Sequence, residues 1–295
     1  MNAFVMFGKR GDGVKGEDAY RALLPLEGRP IFLYVLKALD HVRSVNQIVI
    51  IGPQKRIMTA IERSLPDALF EKKIVVLNEK AHLFENVRQV YEGSSDQTEQ
   101  TDLSVLRQLD PPALFLPAEI PLVTTQEVET FLTDSDLSEY TSCHGVAGEE
   151  TLGLFHPQGE KPGFSLKGLP VEGEAYRMTH LHLVRPNQQE AVEMIQKIYN
   201  DCNGLPSGNM TCSLSRLIDY SASEMTGPEK PAEIKTRFNL VEITPGGGAV
   251  RVEDDESCRT MEMRFKEWQS SLMNRKEDDG KTAICPLSGH ICKDG

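Results

Sequence analysis

An α/β sandwich with a mostly parallel central sheet is the fold class this sequence predicts, and three observations predict it. Short apolar runs alternate with stretches of helical periodicity through the first half of the chain. One of those runs, Gln47 to Ile51, is nearly all β-branched, as in a strand buried on both faces. A third run, Ala113 to Leu116, ends in a turn bearing one acid, Glu119, just before a helix start.

Taken in order, Ala3 to Phe7 is the first expected strand. It runs into Gly8-Lys9-Arg10-Gly11-Asp12-Gly13-Val14-Lys15-Gly16. Glycines and bases after a strand suit a loop around an anion, because the backbone N–H groups approach phosphates closely and the bases neutralise charge. The spacing matches neither a P-loop nor GxGxxG, and a plain surface loop has the same composition. Gly28 and Pro30 mark a turn, and apolar positions 31, 35, 38, 39 and 42 then share a helical face. Gly52-Pro53 closes the second strand, and a helix is expected from Arg56 to Leu65. Lys73 to Leu77 is a third strand and His82 to Gly93 a third helix.

After the strand at Ala113, Pro121 stiffens the turn, and Thr124 with Glu127 has the spacing of a capping box. In open α/β sheets the crevice beyond a strand's carboxyl end is where ligands sit. Glu119 is therefore a candidate metal ligand or base, although a solvated loop carboxylate is the simpler reading. Residues 143–170 read as irregular, and His180 to Val184 as a half-buried strand. Asn187 to Asn200 and Thr211 to Tyr220 read as helices, and Phe238 to Ile243 as a strand. Pro245-Gly-Gly-Gly248 reads as a flexible turn, Ala249 to Glu253 as a short alternating strand, and Asp254 to Leu272 as a last helix holding the only tryptophan, Trp268.

The 295 residues, 39% hydrophobic and 26% charged, fit one large domain or two small ones. A net charge of −12 argues against nucleic acid or anionic lipid as partners. No apolar run approaches the ~20 residues of a membrane span. The first eight residues lack a basic leader region, so no signal peptide is expected. Six cysteines without a CxxC pair suggest reduced thiols in a cytoplasmic protein. Residues 93–104 are polar and read as a loose insertion, and 273–295 as a disordered tail. Cys285, His290 and Cys292 in that tail are three soft ligands without the spacing of a structural zinc site.

Four stretches together resemble the MobA-like nucleotidyltransferases. They are Ala3-Phe-Val-Met-Phe-Gly8-Lys9-Arg10-Gly11, Arg21-Ala-Leu-Leu-Pro25-Leu-Glu-Gly28-Arg29-Pro30-Ile31, Leu116-Pro-Ala-Glu119-Ile-Pro121-Leu-Val-Thr124, and Val250-Arg251-Val-Glu253-Asp-Asp-Glu256. The resemblance covers residues 1–272 as one domain and implies a GT-A-like three-layer sandwich, the nucleotide-diphospho-sugar transferase type. It implies transfer of an NMP from an NTP to a small phosphorylated acceptor, with pyrophosphate leaving and Mg²⁺ or Mn²⁺ as the ion. Carried over by position, Gly8, Arg10 and Gly11 cradle the triphosphate and Arg21 faces the phosphates. Asn86 lies near the base, and Glu119 and Glu253 hold the metal. Arg10, Arg21 and Glu119 are the implied catalytic set. His180, His182 and Asn187 are open between acceptor contacts and packing or capping. The chain departs from the family pattern at Phe7, where a large ring stands beside the nucleotide's place, and at Lys9. It also has Arg21 for lysine, Glu119 for aspartate and Arg251 for a carboxylate. Arginine's planar fork is not a compact ammonium, and glutamate reaches one methylene further than aspartate. Two alternatives follow: a homologue that has lost catalysis and binds nucleotide or a protein partner, and a nucleotide-sugar-dependent glycosyltransferase on the same fold.

Overall fold

The computed structural model describes residues 1–8, 20–65, 69–92, 111–171, 174–202 and 238–274. Its strands are β1 (Asn2–Met6), β2 (Pro25–Leu26), β3 (Arg29–Pro30), β4 (Gln47–Ile51), β5 (Lys73–Leu77), β6 (Ala113–Pro117), β7 (Ser142–Gly148), β8 (Leu169–Val171), β9 (Glu174–Val184) and β10 (Phe238–Glu242). Its helices are α1 (Ile31–Asp40), α2 (Gln54–Arg63), α3 (Leu83–Glu92), α4 (Thr125–Asp134), α5 (Glu149–Leu152), α6 (Gln189–Cys202) and α7 (Asp255–Asn274).

One sheet runs β10-β7-β9-β6-β1-β4-β5, with β8 joined to β9. β1 pairs in parallel with β4 and β6, as β4 does with β5 and β10 with β7. β9 alone runs antiparallel to its partners β6, β7 and β8. Three layers follow from the two-residue period of β1. Ala3 and Val5 face a cluster with Phe32, Val35, Leu36 and Leu39 of α1 and Val128 and Phe131 of α4. Phe4 and Met6 face the opposite cluster, with Val87 of α3 and Ala191, Val192 and Ile195 of α6. Phe4 stacks on Phe115 of β6, ring centroids 4.9 Å apart. A further cluster docks α7 by Met261, Phe265, Trp268 and Leu272 against Leu26, Ile31, Phe155 and Phe164.

Local chemistry sets the element ends. Glu27 (φ 50°) and Gly28 (φ 78°) make the two-residue turn between β2 and β3, where both central residues take positive φ. Thr124 accepts from the N–H of Glu127 while Glu127 accepts from the N–H of Thr124, so the capping box opens α4 as its spacing predicts. Asp254 Oδ1 accepts the N–H of Ser257 at 2.7 Å and starts α7.

Four expectations fail, each for a physical reason. Residues 143–170 are not irregular throughout, because β7 lies within them, hidden by Gly145 and His144. A Cβ on Gly145 would lie 2.2 Å from Thr179 Oγ1, so close strand packing demands the glycine. The strand at His180 begins at Glu174 and is buried from Tyr176 to Val184 rather than half-buried, because β9 lies between β6 and β7. Its polar residues pair inside: His182 Nδ1 meets His144 Nδ1 at 2.8 Å, and His144 Nε2 meets Ser142 Oγ at 2.9 Å. The Gly246–Gly248 turn is packed rather than loose. A Cβ on Gly247 would lie 2.1 Å from the Leu122 carbonyl oxygen, and the Gly248 N–H donates to Glu127 Oε1 at 3.1 Å. Residues 250–253 form no strand; a short 3₁₀ turn, Gly247–Ala249, precedes them, and the Val252 N–H donates to the Glu119 carbonyl at 2.9 Å. The expected insertion at 93–104, the helix at Thr211 to Tyr220 and the tail beyond 274 lie outside the described residues.

Candidate functional site

The site forms where β1 and β6 end side by side, Met6 opposite Pro117. Ala118 donates its N–H to the Met6 carbonyl at 2.8 Å, which holds the next residue, Glu119, across from the start of the glycine-rich loop. The Gly8 N–H donates to Glu119 Oε1 at 2.8 Å. Arg251 Nη2 approaches Glu119 Oε2 at 3.3 Å, with both side chains buried. Arg251 also lies over the Tyr199 ring, 4.9 Å from its centroid. Such contacts strengthen when water is excluded. The Tyr199 hydroxyl donates to the Met6 carbonyl at 2.7 Å and lies 3.5 Å from Glu119 Oε2. Residues from both ends of the chain and from its middle therefore meet at one carboxylate.

Burial raises the pKa of Glu119; the charge of Arg251 opposes the rise, then the Gly8 N–H and the charge of Arg21. Glu253 is 3% exposed, and neither of its carboxylate oxygens accepts a hydrogen bond among the described residues. Burial pushes its pKa up to about 7, with Arg251 and Arg177 opposing, Asp254 adding to the rise and Arg21 opposing more weakly. The backbone of Glu253 is fixed by its N–H donating to Ser257 Oγ at 2.9 Å. Arg177 of β9 reaches toward this segment, its Nε 3.4 Å from the Ala249 carbonyl. His180 is buried in the left-handed region (φ 59°), its imidazole kept neutral by burial and by Arg251, His182 and Arg177. Among the described residues the cluster thus holds the buried guanidiniums of Arg21, Arg177 and Arg251 near the carboxyl groups of Glu119 and Glu253.

Of the residues expected in the site, Gly8, Arg21, Glu119 and Glu253 come together, each glutamate feeling both Arg21 and Arg251. Arg10 and Gly11 lie outside the described residues. Asn86 is buried, its Nδ2 donating to the Asn78 carbonyl and its Oδ1 accepting the Lys80 N–H, so its amide shapes the turn after β5. Phe7 is buried and packs into the α1 side of the core, 5.2 Å from Phe32 between ring centroids. Gly52 makes room for it, since a Cβ there would lie 2.7 Å from that of Phe7. Tyr199 and Arg177 were not legible as site residues. Tyr199 follows the apolar face of α6 one turn after Ile195, and Arg177 falls in a strand whose start the sequence conceals.

A bridging Mg²⁺ needs carboxylate oxygens open to a near-octahedral shell. Here one oxygen of Glu119 faces a backbone N–H, the other faces Arg251, and the side chain is 0% exposed. Among the described residues no group of three or more His, Cys, Asp and Glu side chains is placed to hold a metal ion. The residues as arranged do not fit the ion. Among the same residues no helix is long and apolar enough to cross a membrane.

No family model matches the sequence and the search of curated proteins returns no match, so the MobA-like resemblance rests on the residues quoted above. Among solved structures the chain is similar to a hypothetical transferase from Thermus thermophilus, with 17% identity and a TM-score of 0.51 over 87% of this chain and 98% of that one. It also matches CMP:2-keto-3-deoxy-manno-octonic acid synthetase complexed with CTP, with 11% identity and a TM-score of 0.49 over 90% and 97% of the two chains. A third match is 4-diphosphocytidyl-2C-methyl-D-erythritol synthase from Anaerococcus prevotii, with 9% identity and a TM-score of 0.48 over 90% and 97%. The last two scores are too low to carry an argument. The first, with the strand order and layering, makes this chain a GT-A-like α/β sandwich with a mostly parallel central sheet.

Proposed function

We propose that the chain binds a nucleoside triphosphate by its phosphates at the carboxyl ends of β1 and β6, and transfers the nucleotidyl group to a small phosphorylated acceptor with release of pyrophosphate. One observation carries this reading: the buried guanidiniums of Arg21, Arg177 and Arg251 gather at the ligand-binding end of an open α/β sheet. Polyphosphate oxygens suit arginine's planar fork. Phosphoryl chemistry asks the protein mainly for positioning and charge stabilisation. Arg21 and the glycine-rich loop with Arg10 are assigned to the phosphates. His180 and Arg177 on β9 are assigned to the acceptor side, and the segment holding Asn86 to the base side.

A second reading is favoured by the Glu119–Arg251 pair. Tying the acid to an arginine leaves a nucleotide-binding homologue without turnover. Incubation with each NTP and a panel of sugar phosphates separates the two. Pyrophosphate release, lowered about 10²–10³-fold by Arg21→Ala, supports transfer. A nucleotide-dependent rise in melting temperature without turnover supports binding alone. Turnover of nucleotide-sugars instead assigns the fold to glycosyl transfer. The absence of both turnover and a thermal shift overturns the proposal.

A further inference from the structure

We infer that the cation of this site is built into the chain as the guanidinium of Arg251, so that the phosphorylated ligand binds without a divalent metal ion. The inference rests on the nucleotide reading for the ligand's class, and on geometry for the rest. The two glutamates that a metal would join come from remote parts of the sequence, and both act on Arg251. Glu119 is in contact with it at 3.3 Å, and Arg251 is the strongest charge opposing the upward pKa shift of Glu253.

The guanidinium is held from a third direction by the Tyr199 ring, and Tyr199 is itself anchored through its hydroxyl to the Met6 carbonyl. The residue is therefore held between the turn after β6 and α6. A dication entering here would also meet Arg21, whose charge reaches both carboxyl groups, and Arg177, whose charge reaches Glu253. Its admission requires Arg251 to leave Glu119, and that guanidinium, 1% exposed, is then parted from the acid it contacts. Removing one partner of a buried ion pair is strongly unfavourable. A guanidinium supplies the charge neutralisation that phosphates need, in a fixed plane and at every pH of interest.

The test has two arms on the full chain. In the first, the sodium salts of the four common NTPs are titrated by calorimetry in EDTA and again in Mg²⁺. Equal affinity within about threefold in the two buffers is expected. Affinity at least tenfold tighter with Mg²⁺, or binding only with it, overturns the inference and leaves the nucleotide reading standing. No binding in either buffer overturns the nucleotide reading, and the second arm then still decides on Arg251.

That second arm uses Mn²⁺ alone and reads the melting temperature. Wild type should not respond. Arg251→Ala should melt lower and recover with millimolar Mn²⁺, because Glu119 and Glu253 then lack their cation. Arg251→Lys, which keeps a charge, should fold and show no response, and it serves where the alanine variant does not fold. A Mn²⁺-dependent rise in wild type, or in Arg251→Lys equal to that of Arg251→Ala, overturns the inference.

Discussion

Glu253 carries a carboxyl group that folding buries without a hydrogen-bond donor to it among the described residues, and its pKa rises from 4.5 to about 7. A raised pKa means that the folded state binds the proton more tightly than the unfolded chain. Its contribution is therefore fully present below pH 4.5 and is lost as pH climbs toward about 7. Glu253→Gln removes that dependence. Measured by urea unfolding, wild type should lose up to about 3 kcal/mol relative to the variant across this interval, then run parallel to it. A constant difference at every pH would refute the assignment. At this scale Glu119 was legible as the acid in the turn after a strand, and Arg251 was singled out only by the resemblance, as a base where a carboxylate is expected. The sequence told nothing of how they are joined. Ion pairing between residues 132 apart depends on tertiary placement that no local pattern encodes.

The elements most legible in the sequence were those that bury both faces. Gln47–Ile51 and Ala113–Pro117 are continuous apolar runs, and they became β4 and β6 with shifts of at most one residue. β7 was concealed, and β9 was read only from His180 and as half-buried, because their interior holds histidines that satisfy one another. His182 has its pKa lowered by burial from 6.5 to about 3, and that of His144 also falls well below 6.5. Both rings stay neutral in the fold, so their contribution is full above pH 6.5 and is lost as acid protonates the unfolded chain. The double variant His144→Leu/His182→Leu should show a shallower fall of stability between pH 6.5 and pH 3 than wild type. Identical slopes by urea midpoint would count against the pair. Glu127 does a related job for α4: it closes the capping box and takes the Gly248 N–H while being 0% exposed. Glu127→Ala should cost about 2–4 kcal/mol in chemical denaturation, through a lost cap and an orphaned buried N–H.

Across the whole molecule, the layered α/β order was readable from alternation alone, while the place of β9 between β6 and β7 was not. Strand order is a matter of connection, and no periodic pattern reports it. Trp268 tests how α7 is bound into the whole. It is 0% exposed, lies edge-on to Phe155, and donates its Nε1–H to the Leu154 carbonyl at 3.1 Å. As the only tryptophan it should emit at short wavelength and shift red together with the loss of circular dichroism. Trp268→Ala should cost about 3–5 kcal/mol. An early red shift would show α7 leaving before the sheet melts. The reversed direction of β9 also bears on how the chain is made. On the ribosome β1, β4, β5 and β6 emerge first and can join as a sheet by themselves. The outer edge of β6 then stays open until Glu174–Val184 has left the exit tunnel. For that span of translation the nascent protein displays a bare apolar border, the kind of surface that chaperones shield and that stalled fragments aggregate through.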